Sequence, residues 1–144
     1  AAAQDSRLEF RTRAVYGKRT DEIAAFLDDV VDGVDVLVVQ GGINDVAQGR
    51  SVVGAARNLA GIVERGRVAG LPVALADVLP WPNGDARAAA EIARLNELVH
   101  AIQGVTHLPF HATLAPVERW SDDGAHPSVA GHRLLGERAF RLPS

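Results

Sequence analysis

The stretch Val34-Asp35-Val36-Leu37-Val38-Val39-Gln40-Gly41-Gly42-Ile43-Asn44-Asp45 decides the fold. Its first six residues are almost wholly apolar and rich in β-branched side chains, interrupted only by Asp35. A run of that kind suits a strand covered on both faces, as in a parallel sheet, better than one with a wet side. Two glycines then permit a tight turn and close backbone approach. Asn44-Asp45 follows, either capping the next helix or presenting polar side chains at the strand tip.

Outward from this stretch, short β-like runs alternate with longer helical ones. Residues 8–16 alternate in part (Leu8, Phe10, Thr12, Ala14, Tyr16) and predict a strand. Thr20 is placed to cap a helix with Asp21 and Glu22 in its first turn, where the dipole favours negative charge. That helix carries Ile23, Phe26, Leu27, Val30 and Val31 as one apolar stripe, and Gly33 ends it. Downstream, residues 51–69 predict a helix despite Gly54, Gly61 and Gly66, each costing about 1 kcal/mol against alanine. Residues 71–79 predict a strand that breaks at Pro80-Trp81-Pro82. Asn83 or Asp85 then caps a helix reaching about Gln103, with Ile92, Leu95, Leu98, Val99 and Ile102 on one side and Gly104 as its stop. Residues 105–110 predict another strand, and Ser128 caps a last helix containing Leu134, Leu135 and Phe140. Strands and helices alternating at these lengths imply βαβ units. The expected architecture is a three-layer α/β/α sandwich on a parallel, flavodoxin-like sheet, with residues 1–144 forming a single domain.

Composition agrees with that class. The 144 residues are 47% hydrophobic and 23% charged, with a mean hydropathy of +0.04, which suits one globular domain and not a disordered chain. A formal net charge of −3 gives no electrostatic reason to expect nucleic acid as partner. No run of about 18 apolar residues is present to span a bilayer. The absence of cysteine excludes a disulfide scaffold, a thiolate nucleophile and any zinc site with cysteine ligands.

In an open parallel sheet, ligands bind beyond the carboxyl ends of the strands. The segments expected there are Tyr16-Gly17, Gln40 through Asp45, Pro80-Trp81-Pro82-Asn83, and Ser121-Asp122-Asp123-Gly124-Ala125-His126-Pro127-Ser128. In the last of these, Asp123 and His126 stand three residues apart in a turn made by Gly124 and closed by Pro127. Such a turn lets a carboxylate reach the imidazole Nδ1–H, fixing the tautomer and leaving Nε2 as a base, or leaves both side chains simply on solvent. Gly17 offers either a backbone N–H to a ligand or a turn. Trp81, on a rigid Pro-Trp-Pro loop, reads equally as a substrate wall or as packing. His107 and His111 have the spacing of a metal pair, but Pro109 between them breaks a helix, so they read as loop residues. His100 reads as a solvent-facing helical residue. No Gly-rich phosphate loop follows a strand.

Three segments in order, Gly17 after the first strand, Gly42-Ile43-Asn44-Asp45 after the next, and Asp123 through His132 before the last helix, resemble the SGNH hydrolase superfamily of GDSL-type esterases and lipases. The resemblance spans roughly residues 15–139. It implies a glycine N–H (Gly17) and an asparagine side chain (Asn44) in an oxyanion hole; beside them, Gly42 and Trp81 are the residues expected to meet the substrate. His126 becomes general base and acid, and Asp123 its orienter. The implied reaction is hydrolysis of a small-molecule ester through a serine acyl-enzyme, with no metal or organic cofactor.

The superfamily's Gly-Asp-Ser block, which supplies the nucleophile, is not recognisable. Asp5-Ser6 follows Gln4 rather than glycine, and Ser6 lies only eleven positions ahead of Gly17. A helical crossover alone needs about ten to twelve residues, so Ser6 is a poor fit. Ser51, Ser121, Ser128 and Ser144 read as caps, loop or terminus. The chain also contains no methionine. The expectation is an amino-terminal segment preceding these residues, or a companion fragment. The alternative is an inactive SGNH-like binding module that lacks its nucleophile.

Overall fold

β1 (Leu37–Val39), β2 (Val73–Ala76) and β3 (Thr106–Leu108) form a parallel sheet in the order β1-β2-β3. Leu37 stands opposite Val73, and Leu75 opposite His107. The computed structural model describes residues 9–116, 119–120 and 122–140. The helices are α1 (Thr20–Ala25), α2 (Asp28–Val31), α3 (Ile43–Ala47), α4 (Val52–Val68), α5 (Ala86–His100), α6 (Phe110–Thr113) and α7 (Val129–Phe140).

The alternation of side chains along β2 builds the layers. Val73 and Leu75 point to one face and join Leu37 and Val39 against Leu59, Ile62 and Val63 of α4 and Ile92, Leu95 and Val99 of α5. Ala74 and Ala76 point to the other face, where Leu108, Phe110, Leu114, Trp120 and Leu135 form a second, smaller core. Helices thus cover both faces, and the α/β/α sandwich with a parallel sheet stands, with three strands among the described residues. Gly66 illustrates how close the first layer lies: a Cβ there would come within 2.8 Å of Leu37 and 3.0 Å of Val73.

Several expected elements change. Residues 9–15 form no strand, and Leu8, the first residue of that expected strand, lies outside the described residues. Instead, Arg11 donates to the Asp32 carbonyl at 2.9 Å, and Arg13 lies 5.1 Å above the Phe26 ring. The helix expected to run on from Thr20 breaks at Phe26-Leu27 into α1 and α2. Thr20 does not cap it: Arg19 holds that position, and the Thr20 side chain is buried elsewhere. Asp85 rather than Asn83 caps α5, accepting the Ala88 N–H at 2.7 Å, and the helix stops at His100. Ser51 and Ser128 cap α4 and α7, accepting from Gly54 and Gly131.

Candidate active site

The carboxyl edge of the sheet carries the loops that the sequence singles out. Gly42, just past β1, has φ +118°, and a Cβ on it would lie 2.8 Å from Leu95 and 2.9 Å from Val78. Glycine is therefore demanded twice, by backbone conformation and by packing. This tight seat sets the start of α3, and with it Asn44. One Asn44 Nδ2–H donates to the Lys18 carbonyl at 3.1 Å. An amide has two such hydrogens, so this bond orients the other.

The turn at Gly17 is held to the same helix. Gly17 has φ +74°, and its carbonyl accepts from Gln48 Nε2 at 3.1 Å. Asp45 does most to bind the two segments. Its buried carboxylate accepts the Thr20 N–H and the Thr20 hydroxyl, each at 2.9 Å, while Asn58 donates to that hydroxyl at 3.0 Å. The sequence leaves Asn44-Asp45 open between a helix cap and polar side chains at the strand tip, and neither describes Asp45. Its real partner lies 25 positions earlier. Beside it, the Glu22 carboxyl is held below its ordinary value, chiefly by the Lys18 ammonium and then by the Arg19 N–H. The Arg19 guanidinium likewise lowers Asp21.

The second group of residues sits before α7. His126 Nδ1 lies 2.7 Å from Asp123 Oδ2, and since a carboxylate only accepts, Nδ1 carries the proton. Nε2 is then the basic nitrogen. Asp123 Oδ1 accepts the backbone N–H groups of Ala125 and His126 at 2.9 and 3.0 Å, which fixes the carboxylate before it orients the ring. Both side chains are exposed. The loop is closed at its base by a bridge between Trp120 and Pro127 and by Ser128 N–H donating to the Arg119 carbonyl at 3.0 Å. Trp120 anchors that base in the second core, donating to the Leu114 carbonyl at 2.7 Å. Nothing in the local sequence marks Trp120 for this role, since its partner Leu114 and the second core come together only in the folded chain.

The loop after β2 joins the two groups. Gly42 packs on Val78, and Asn83 donates to the Asp123 carbonyl. Gly124 (φ +58°) lies so near Asn83 that a Cβ would meet its side chain at 2.5 Å. Trp81 is half-buried against the main core. Gly17 and Asn44 are thus brought together, Asp123 and His126 are brought together, and residues 78–83 lie between them.

Neither described serine is a ready nucleophile. Ser51 Oγ accepts the Gly54 N–H at 3.2 Å, and Ser128 Oγ both accepts from Gly131 and donates to the Arg119 carbonyl at 3.1 Å. Ser6, Ser121 and Ser144 lie outside the described residues. His100 is not simply a surface residue: its Nε2 lies 3.2 Å from the buried Asp77 carboxylate, which also accepts the His111 N–H at 2.7 Å. Among the described residues, no group of three or more His, Asp or Glu could hold a metal ion, and no helix is long and apolar enough to cross a membrane.

A family model described as the GDSL-like lipase/acylhydrolase family matches residues 1–134. No curated protein sequence matches the chain. Among solved structures, a GDSL-like lipase from Bacteroides thetaiotaomicron is 20% identical with a TM-score of 0.81, the match covering 90% of this chain and 72% of that one. A member of the lipolytic G-D-S-L family from Veillonella parvula is 17% identical at a TM-score of 0.83, over 98% and 83% of the two chains. The psychrotrophic esterase EstA from Pseudoalteromonas, in a structure inhibited by monoethylphosphonate, is 16% identical at 0.67, over 86% and 70%. At these identities the likeness is one of fold.

Proposed function

The chain belongs to the GDSL-like lipase/acylhydrolase family, and on that premise we propose that it is a serine esterase cleaving a carboxylic ester of the lipid, aryl or acetyl-sugar kind. The observation that carries this reading is the 2.7 Å Asp123–His126 hydrogen bond at the carboxyl edge of the sheet. His126 Nε2 takes the proton of a serine hydroxyl as its oxygen attacks the ester carbonyl. The Gly17 N–H and the second Asn44 amide hydrogen stabilise the negative charge that moves onto the carbonyl oxygen. The tetrahedral species collapses, His126 returns the proton to the departing alcohol, and an acyl-serine remains. Water then repeats the cycle, giving up its proton to His126 and releasing the acid. Gly42 and Trp81 line the side on which the ester rests.

In this reading neither described serine acts, and the nucleophile is carried on a further strand paired with the open edge of β1. Two facts support that placement. β1 pairs with β2 alone among the described strands, and Val38 at its centre is 59% exposed, an unusual state for a parallel strand. A segment seated there ends at the same sheet edge as Asn44.

A serine-directed fluorophosphonate and p-nitrophenyl acetate test the proposal together. The expected result is one covalent adduct, lost in His126→Ala, with ester hydrolysis lost in parallel. Asn44→Ala should lower kcat by about 10²–10³, the usual effect of removing one oxyanion donor. A protein that forms no adduct and releases no nitrophenol is the non-catalytic binding module instead.

A further inference from the structure

A groove of about 420 Å3 opens beside α3, the helix that carries Asn44, lined by Val46, Gly49, Arg50, Arg87, Glu91 and Arg94 among others. Its volume lies in the range of small-ligand sites. Its chemistry is distinctive. Arg87 and Arg94 project from the same side of α5, and Arg50 faces them from the turn between α3 and α4. Elsewhere in the molecule, Arg19, Arg65 and Arg67 each have a carboxylate within 3.2 Å. Among the described residues, Arg50, Arg87 and Arg94 make no such ion pair, even though Glu91 stands one turn from both Arg87 and Arg94. The nearby acids are committed elsewhere: Asp45 to Thr20 and Asp85 to the cap of α5. Three guanidiniums against one carboxylate leave the groove with an excess of positive charge and unused planar donor forks, which match phosphate and carboxylate oxygens.

Resting on the esterase reading above, we infer that this groove holds an anionic group, phosphate or carboxylate, borne by the ester substrate. The groove shares Val46 and Gly49 with the segment that begins at Asn44, so an anion seated there anchors a substrate whose ester carbonyl reaches the oxyanion donors. The enzyme then prefers acidic esters to neutral ones of the same size.

Binding and turnover test this separately. In calorimetric titration at low ionic strength, inorganic pyrophosphate should bind the wild-type protein. Binding should weaken as salt rises and fall at least about tenfold in Arg87→Glu/Arg94→Glu, since charge-assisted contacts of this kind are individually worth about that factor. In turnover, the ratio of kcat/KM for mono-p-nitrophenyl succinate to that for p-nitrophenyl butyrate should exceed one and fall at least about tenfold in the same double variant. Phosphatidylglycerol vesicles separate the sources: cosedimentation lost in the variant assigns the anion to a lipid headgroup, whereas pyrophosphate binding without cosedimentation assigns it to a soluble ester. Equal pyrophosphate binding by both proteins, or equal kcat/KM for the two esters, overturns the inference while leaving the esterase intact. Failure to hydrolyse either ester removes the esterase reading instead.

Discussion

Asp45 is 3% exposed and spends both carboxylate oxygens on Thr20. Removing it strands a buried N–H and a buried hydroxyl, and it unties the Gly17 turn from the helix that holds Asn44. Because an unsatisfied buried group costs about 1–3 kcal/mol and a charged partner adds to that, Asp45→Ala should lower unfolding free energy by about 3 kcal/mol in urea titration. A loss below about 1 kcal/mol would mean that water or Asn58 takes over the Thr20 hydroxyl. This residue also marks where sequence reading stops. The Asp123–His126 couple is local, three positions apart, so the turn that makes it is written beside it. Asp45 and Asp77 act on partners 25 and 34 positions away, and nothing in Asn44-Asp45 or in Leu75-Ala76-Asp77 names Thr20 or His111. Gly42 lies between these cases. Its turn is legible, whereas its contact with Leu95 needs the helix packed in place.

Among the elements, helices were the more legible, because their hydrogen bonds close within the segment. Residues 51–69 gave α4 almost to the residue, and Gly66, a liability by propensity, is what lets α4 approach Leu37 and Val73. Residues 9–15 show the opposite. Their alternation satisfies a strand pattern, but a strand exists only with a partner for its backbone, and here arginines tie the segment to residues 26–32 instead. The start of α1 yields a pH prediction. Lys18 donates to Glu22 at 2.7 Å and the Arg19 N–H donates to it at 3.1 Å, and these bonds depress the Glu22 carboxyl. A depressed carboxylate contributes stability above its unfolded pKa, about 4.3 for glutamate, and loses it as pH falls through the lower folded value. Glu22→Gln should therefore lower the urea midpoint at about pH 7 by a small amount, given the exposure of the pair. The gap to wild type should close below about pH 4. A gap that persists at about pH 3 would trace the effect to shape rather than charge.

At the level of the whole molecule, the two cores are unequal. The face made by α4 and α5 runs under all of β1 and β2, whereas the opposite core gathers at β2, β3 and α7. Val38, which points to that second side, is consequently bare, while Leu37 and Val39 on the first side are buried. An exposed apolar edge is a site for strand addition, and natural sheets protect such edges with charge when nothing pairs there. No charge stands at position 36 or 38, which fits an edge that is covered when the nucleophile is in place. The consequence can be measured on one variant with one control. Val38 is 59% exposed and belongs to neither core, so Val38→Arg should cost far less unfolding free energy than a change in the core. Leu37→Ala, one residue away, should cost about 2–5 kcal/mol. If the serine arrives on a segment seated along β1, Val38→Arg should nonetheless slow fluorophosphonate labelling by at least about tenfold, because a guanidinium at that edge obstructs the seat and cannot be buried cheaply. Labelling at the wild-type rate would move the nucleophile away from β1 and leave Val38 an ordinary exposed side chain.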